Sequence, residues 1–215
     1  MRLSWLLVKM STKIGLISDV HATVAPLREA LTIFEQEGVD QILCAGDLAG
    51  YGTELEQCIE LLAKSGCITI SGNHDQWYNR QRAGGDWQEG IETFLHTLPV
   101  GWQATMEGKR ILGVHASSPS SMSRGIVLLD RYGKIITSNK REWQQELDGC
   151  GLEVLVVGHT HQVFAEPLGQ TLVINPGSTK FNHSCAILEL PGLRIKFIPL
   201  AGQEYRRVWH WGMMS

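Results

Sequence analysis

Apolar residues recur along this chain in two alternating periods, and the alternation predicts an α/β fold. Short apolar runs at Lys13–Ser18, Gln41–Ala45 and Cys67–Ser71 have the length of buried strands. Between them, Ala25–Glu37 carries Leu27, Ala30, Leu31 and Phe34 at helical spacing, and Thr53–Lys64 carries Leu55, Cys58, Leu61 and Leu62. A βαβαβ beginning of this kind favours a parallel sheet with right-handed crossovers. After His74 the pattern loosens through Arg80, Gly84, Gly85 and Asp86, then returns as a helix over Trp87–Thr97 closed by Pro99.

The second half reads as mostly strand. Trp102–Met106 and Lys109–His115 form a hairpin about Glu107-Gly108. Ser117–Lys134, rich in Ser, Gly and Pro, reads as a mobile loop and is followed by a helix around Lys140–Leu147. Strands then follow at Glu153–Val157, Thr171–Ile174, Cys185–Leu190 and Leu193–Pro199, the last pair turning at Pro191-Gly192. No repeat or low-complexity linker interrupts the series. The expectation is one domain over residues 10–215, with two β-sheets between outer helices. Residues 1–9, ahead of Met10, read as a disordered leader or an upstream mis-called start.

Composition narrows the partners. A 215-residue chain with 43% hydrophobic and 19% charged residues suits one domain with a sizeable core. Its formal net charge of -3 gives no electrostatic footprint for duplex nucleic acid or an anionic membrane, though nucleotides stay open as ligands. The apolar stretch Leu3–Val8 is shorter than a signal-peptide core and far short of a membrane span, so a cytoplasmic location is expected. The five cysteines (Cys44, Cys58, Cys67, Cys150 and Cys185) lack CxxC spacing and read as reduced, buried thiols. Nothing in the chain fixes an oligomeric state.

The chemistry lies at the strand ends. Asp19-Val20-His21, Gly46-Asp47, Gly72-Asn73-His74-Asp75, Gly113-Val114-His115 and Gly158-His159-Thr160-His161 occur in that order, most of them after an apolar run. Residues two apart on an extended segment share a face, so Asp19 pairs with His21, and His159 with His161. Open α/β sheets bind ligands beyond the carboxyl ends of their strands, where these residues fall. Carboxylate, amide oxygen and imidazole donors without thiolate suit manganese first, and iron, zinc, cobalt or nickel as well. Two divalent ions carry about +4 against about −2 from Asp19 and Asp47, a net positive centre for an anionic substrate.

Together the five motifs resemble the calcineurin-like metallophosphoesterase superfamily, whose pattern is D-x-H, G-D, G-N-H-[D/E], G-H and G-H-x-H. The resemblance spans residues 14–178. It implies a four-layer α/β/β/α sandwich and two metal ions. One would be held by Asp19, His21, Asp47 and His161, the other by Asp47, Asn73, His115 and His159. It further implies that His74 stabilises the phosphoryl group or protonates the leaving oxygen. The expected reaction is hydrolysis of a small phosphoester by in-line attack of a metal-bridging hydroxide. A phosphodiester is the first expectation, with a phosphomonoester, a nucleotide or a dinucleoside polyphosphate as alternatives.

Departures from the pattern refine this. Relatives that cleave phosphoproteins or diadenosine tetraphosphate symmetrically follow Gly-Asp with a D-R-G element, which is absent from Gly46-Asp47-Leu48-Ala49-Gly50-Tyr51-Gly52. That element instead resembles small prokaryotic phosphodiesterases active on simple aryl phosphoesters. The retromer subunit of this fold is a protein-interaction scaffold lacking the catalytic histidine, whereas this chain has His74.

Weaker candidates complete the set. Asp75 either orients His74 or is a solvated loop aspartate. Asn175, in Asn175-Pro176-Gly177-Ser178, reads as part of a turn supporting the ligands. Arg80, Arg82 and Arg124, in the irregular segments, have the chemistry to clamp a phosphate, or are simply solvated. Trp77, Tyr78 and Trp87 offer stacking surface, with core or lid packing preferred, and His96, His183 and His210 read as structural. Segments 76–98 and 117–138 are the expected determinants of specificity.

Overall fold

The computed structural model of the chain describes residues 11–81, 89–117 and 121–210. Strands β1 (Thr12–Ile17), β2 (Gln41–Cys44), β3 (Ile68–Thr69), β9 (Ser184–Leu190) and β10 (Arg194–Pro199) build one sheet, in the order β10-β9-β1-β2-β3. Strands β4 (Gly101–Met106), β5 (Lys109–Val114), β6 (Val154–Val156), β7 (Val163–Leu168) and β8 (Thr171–Pro176) build the other, in the order β4-β5-β6-β8-β7. The helices are α1 (Val24–Gln36), α2 (Leu55–Lys64), α3 (Asn73–Gln81), α4 (Glu89–Thr97) and α5 (Thr137–Glu146). Both sheets are mixed. Strands β1, β2 and β3 run parallel, with Leu16 opposite Leu43, and so do β5, β6 and β8, with Val154 opposite Leu172.

Side-chain alternation sets the layers. Ile14 and Leu16 of β1, Leu43 of β2, Val154 and Val156 of β6, and Ala186 and Leu188 of β9 fill the space between the sheets. Intervening residues face outward: Ile17, Cys44, Cys185 and Ile187 pack with Leu27 and Phe34 of α1 and Cys58 and Leu62 of α2. Beyond the second sheet, Leu155 and Val157 pack with Trp143 and Leu147 in and beside α5. The order is therefore helix, sheet, sheet, helix.

Gly15 brings α1 close to β1, because a Cβ there would lie 2.7 Å from Cδ2 of the Phe34 ring. Phe34 itself is fully buried. Replacing it with Ala leaves a cavity that the two flanking elements only partly close, so Phe34→Ala is expected to lower unfolding free energy by about 3–5 kcal/mol. Urea unfolding checks this; a loss below about 1 kcal/mol would contradict the packing described.

Several elements differ from the sequence expectation. Helix α3 replaces what reads as irregular chain after His74, and β7 adds a strand that the sequence reading omits. The segment after Arg124 is no mobile loop: Ile126, Leu128 and Leu129 are buried, and Leu129 bridges to Ile135. Cys44, Cys58 and Cys185 are buried free thiols as expected, but Cys150 is exposed. The expected leader at residues 1–9 lies outside the described residues, as do Arg82 and Trp87. No helix among the described residues is long and apolar enough to cross a membrane.

Candidate metal centre

The parallel strands β1, β2, β3, β5 and β6 deliver their carboxyl ends to one edge of the sandwich, and the motifs follow directly. Backbone pairing continues past the strands: Asp19 N–H donates to Gly46 O at 2.9 Å and His21 N–H to Asp47 O at 3.0 Å. On the other sheet Gly158 N–H donates to His115 O at 2.8 Å. Close approach requires glycine, since a Cβ on Gly72 would fall on Asp47 Oδ1 and one on Gly158 would meet Ser18 Oγ. Asp19, His21, Asp47, His159 and His161 all have positive φ, between 47° and 65°. Such backbone persists in non-glycine residues only where surroundings over-determine it, and it gathers at functional sites.

Two groups of donors converge. Asp19, His21 and His161 form one, and Asp47, His115 and His159 the other, each with its ligand atoms within 4.8 Å of one another. In the first, His21 Nε2 lies 3.1 Å from His161 Nε2, and His161 Nε2 lies 3.3 Å from Asp19 Oδ1. In the second, His115 Nε2 lies 3.3 Å from Asp47 Oδ1 and 3.0 Å from Asn73 Oδ1, which is also 2.8 Å from His159 Nδ1.

The outward nitrogens are tied to backbone carbonyls. Nδ1 of His21 donates to Ala49 O, Nδ1 of His115 to Ala45 O, and Nε2 of His159 to Ser123 O. Each such bond fixes the tautomer, so the remaining nitrogen turns a lone pair inward. Two inward nitrogens 3.1 Å apart repel unless a proton or cation lies between them. The donors therefore fit a metal ion in each group.

The electrostatics agree. Burial opposes ionisation of Asp19 and Asp47, yet neighbouring histidines win and hold both carboxyls below their usual range. Burial also opposes a charge on His115, but Asp47 and Asp19 outweigh it and raise the imidazole to about 9. A proton thus favours the position facing Asp47 and Asn73, and a binding cation displaces it. His21, where burial dominates, is pushed down to about 4 and stays neutral near pH 7.

The remaining sequence candidates separate clearly. His74 lies in neither donor group. Its N–H donates to Asp47 Oδ1 at 2.8 Å, and its ring packs 5.0 Å from His21, 4.7 Å from Tyr51 and 4.8 Å from Trp77. Asn175 Nδ2 donates to Gly158 O at 2.9 Å and to Thr160 Oγ1 at 3.1 Å, bracing the loop that bears His159 and His161.

Asp75 is neither solvated nor bonded to His74. It is fully buried, and its two oxygens accept Ala49 N–H and Gly72 N–H, each at 2.8 Å. Burial, followed by repulsion from Asp47, raises its carboxyl to about 7. Asp75→Ala orphans both amides and is expected to cost about 2–5 kcal/mol. Asp75→Asn, which keeps one acceptor, should cost less; equal thermal stability of Asp75→Ala and the natural protein would refute the role.

Arg124 corrects the clamp expectation. Its guanidinium pairs with Glu142 and Glu146 of α5 and lies 4.5 Å from the centroid of the Trp143 ring, so both terminal nitrogens already face carboxylates. Arg80 falls on α3, but its side chain lies outside the described residues.

Sequence reasoning placed Ser178 in a turn that supports the ligands but missed the rest of the outer ring of the site. Ser178 Oγ donates to Asp19 O at 2.6 Å, and Asn182 Nδ2 donates to His161 O at 2.9 Å. Trp209 N–H also donates to His161 O, and its indole stacks 3.9 Å from Phe181, whose ring sits 5.4 Å from His21. A cleft of about 310 Å³ opens over the two groups, lined by Asp47, Tyr51, His74, Trp77, His161 and His210 among others.

Residues 12–191 match the family model described as the calcineurin-like phosphoesterase superfamily domain. The chain belongs to that superfamily. A protein of Methanothermobacter thermautotrophicus described as a probable metallophosphoesterase is 30% identical over 166 residues, covering 77% of this chain and 76% of its own. The fold is shared with solved structures. A hypothetical protein from Pyrococcus horikoshii OT3 superposes with TM-score 0.69 at 20% identity, covering 91% of this chain and 89% of that one. A structure described as a novel archaeal phosphodiesterase gives 0.59 at 19% identity, covering 88% and 100%. The two candidate metal-binding groups fit a dimetal family.

Proposed function

We propose that this protein is a two-metal phosphodiesterase acting on a small phosphoester. The observation that carries the reading is the pairing of two inward-facing donor groups with His74 on one cleft. Asp19, His21 and His161, with Asp47, would hold one ion; Asp47, Asn73, His115 and His159 would hold the other. When bound, such ions supply an activated water and neutralise charge on the phosphoryl oxygens. Manganese suits the mixed N and O donors, with iron, zinc, nickel and cobalt as alternatives.

The chain's own residues do the rest. Asp47 anchors the backbone N–H of His74, so the acid–base residue is set by the same carboxylate that faces the donors. Gly50 leaves room beside His74 Nδ1, where a Cβ would lie only 2.6 Å away. His74 would then hold a proton at Nε2 for the departing oxygen, a general-acid task that imidazole chemistry supports.

The cleft's charge favours a diester. Among its described lining residues none is Lys or Arg. A phosphomonoester brings about two negative charges near pH 7 and a diester only one, so the diester needs less cationic compensation. The structural neighbour described as a phosphodiesterase is consistent with that preference. The test is a side-by-side rate for bis-(4-nitrophenyl) phosphate and 4-nitrophenyl phosphate with Mn²⁺-loaded protein. Faster diester cleavage is expected; no turnover of either ester with Mn²⁺, Fe²⁺, Zn²⁺, Ni²⁺ or Co²⁺ would overturn the enzyme reading and favour the scaffold.

A further inference from the structure

The mouth of the cleft carries two large aromatic rings that core packing does not explain. Tyr51 is 46% exposed and Trp77 48% exposed, and both line the cleft on either side of the sequence motif that supplies His74. Each ring lies within 4.8 Å of the His74 ring, centroid to centroid. Tyr51 also sits at φ 58°, a left-handed conformation that costs an L-residue roughly 1–2 kcal/mol and that Gly or Asn would tolerate better. An exposed, bulky residue at a strained position points to a role for its ring.

The neighbouring surface restricts the ligand. The described lining residues of the cleft include no Lys or Arg, so among them affinity beyond the phosphate comes from neutral contacts. The available neutral contact is stacking, which accepts any planar π-face. The rim beyond the rings is polar, with Thr160 and the exposed His210, so it suits a ring with hydrogen-bonding edges better than an alkyl chain. The cleft volume, about 310 Å³, is at the lower end of that for small-molecule sites and admits one such group beside the phosphate.

We propose that Tyr51 and Trp77 form an aromatic platform for a nucleobase, making nucleoside phosphodiesters the substrate class. This rests on the phosphodiesterase reading and adds the identity of the esterified group. The sequence reading weighed nucleobase stacking by Trp77 and preferred core or lid packing; its 48% exposure beside His74 argues against core packing.

The test compares adenosine 5′-monophosphate, ribose 5-phosphate and inorganic phosphate as competitors of bis-(4-nitrophenyl) phosphate hydrolysis. The nucleotide should inhibit roughly tenfold more tightly than the sugar phosphate, the size of one base–aromatic stack. Trp77→Ala and Tyr51→Ala should shrink that ratio, with inhibition by inorganic phosphate and metal content held, while Trp77→Phe and Tyr51→Phe should keep it. Equal inhibition by nucleotide and sugar phosphate, or a ratio that survives both Ala variants, overturns the proposal. A fall in phosphate inhibition or metal content equal to the fall in nucleotide inhibition assigns the rings a structural role instead and likewise overturns it. Calorimetric titration of the metal-loaded protein with the same three compounds keeps the outcomes separate. Base-dependent binding without turnover would sink the phosphodiesterase and leave the platform, and turnover without base dependence would do the reverse.

Discussion

Asp47→Asn is expected to lose metal and nearly all turnover while remaining folded. The substitution is nearly isosteric, so a side chain that is only 2% exposed keeps its packing. What changes is charge. Asp19 and Asp47 are the two carboxylates in the donor groups, and neutralising one halves the formal negative charge that holds the cations. His115 Nε2 and the backbone N–H of His74 both face Oδ1, so an amide that keeps its oxygen there retains those contacts and replaces only Oδ2, an acceptor, with a donor. Loss of even an outer support to a metal ligand costs 10- to 100-fold in affinity, so losing a direct donor should exceed about 100-fold and lower kcat/KM by on the order of 10³. Elemental analysis after gel filtration, with rates on bis-(4-nitrophenyl) phosphate, checks both. Natural metal content and rate in Asp47→Asn would remove Asp47 from the centre.

How much of this was legible in the sequence depends on where the information resides. Asp19, Asp47, Asn73, His115, His159 and His161 each follow an apolar run closely, and strand direction alone sends such residues to one edge. The sheets were legible for the same reason, because Ile14, Leu16 and Ile17, or Val154, Leu155 and Val156, announce buried strands by composition. Helix α3 was not: Asn73–Gln81 has only Trp77 and Tyr78 as large apolar residues, so no stripe at helical spacing signals it. Strand β7 was hidden by Pro167, which lowers a strand reading, yet it is an edge strand where Pro is tolerated.

Tertiary support was the least visible. Gln162 fixes the segment after Arg124 by accepting Leu128 N–H and Leu129 N–H and donating to Leu129 O. No local pattern foretells a side chain serving a segment more than thirty positions away. Asp75 illustrates the same limit: the motif displays an acid next to His74, but only the fold reveals that its oxygens join Ala49 and Gly72. The residues that touch a ligand were written at strand ends, whereas those that hold them are distributed over the chain.

His74→Ala should separate catalysis from metal binding. The backbone N–H that donates to Asp47 survives the substitution, and His74 belongs to neither donor group, so metal content should stay at its natural value. Turnover should fall by roughly 10²–10⁴, the range for losing a positioned general acid. The leaving group then tells which of two roles the ring performs. If His74 protonates the departing oxygen, the loss is small for a nitrophenolate, which leaves without help, and grows as the leaving group becomes more basic. If it instead stabilises the phosphoryl group, the loss is the same for every leaving group, because the charge it meets does not depend on the departing oxygen. The ring is half-buried and bounded by His21, Tyr51 and Trp77, and burial lowers its pKa, which makes the imidazolium a stronger acid but a less populated one, so the leaving-group series rather than the pKa decides between the two roles. An undiminished rate in His74→Ala with every leaving group, the most basic included, would mean that the hydrolysis is adventitious, and the same fold would then be a metal-bearing scaffold.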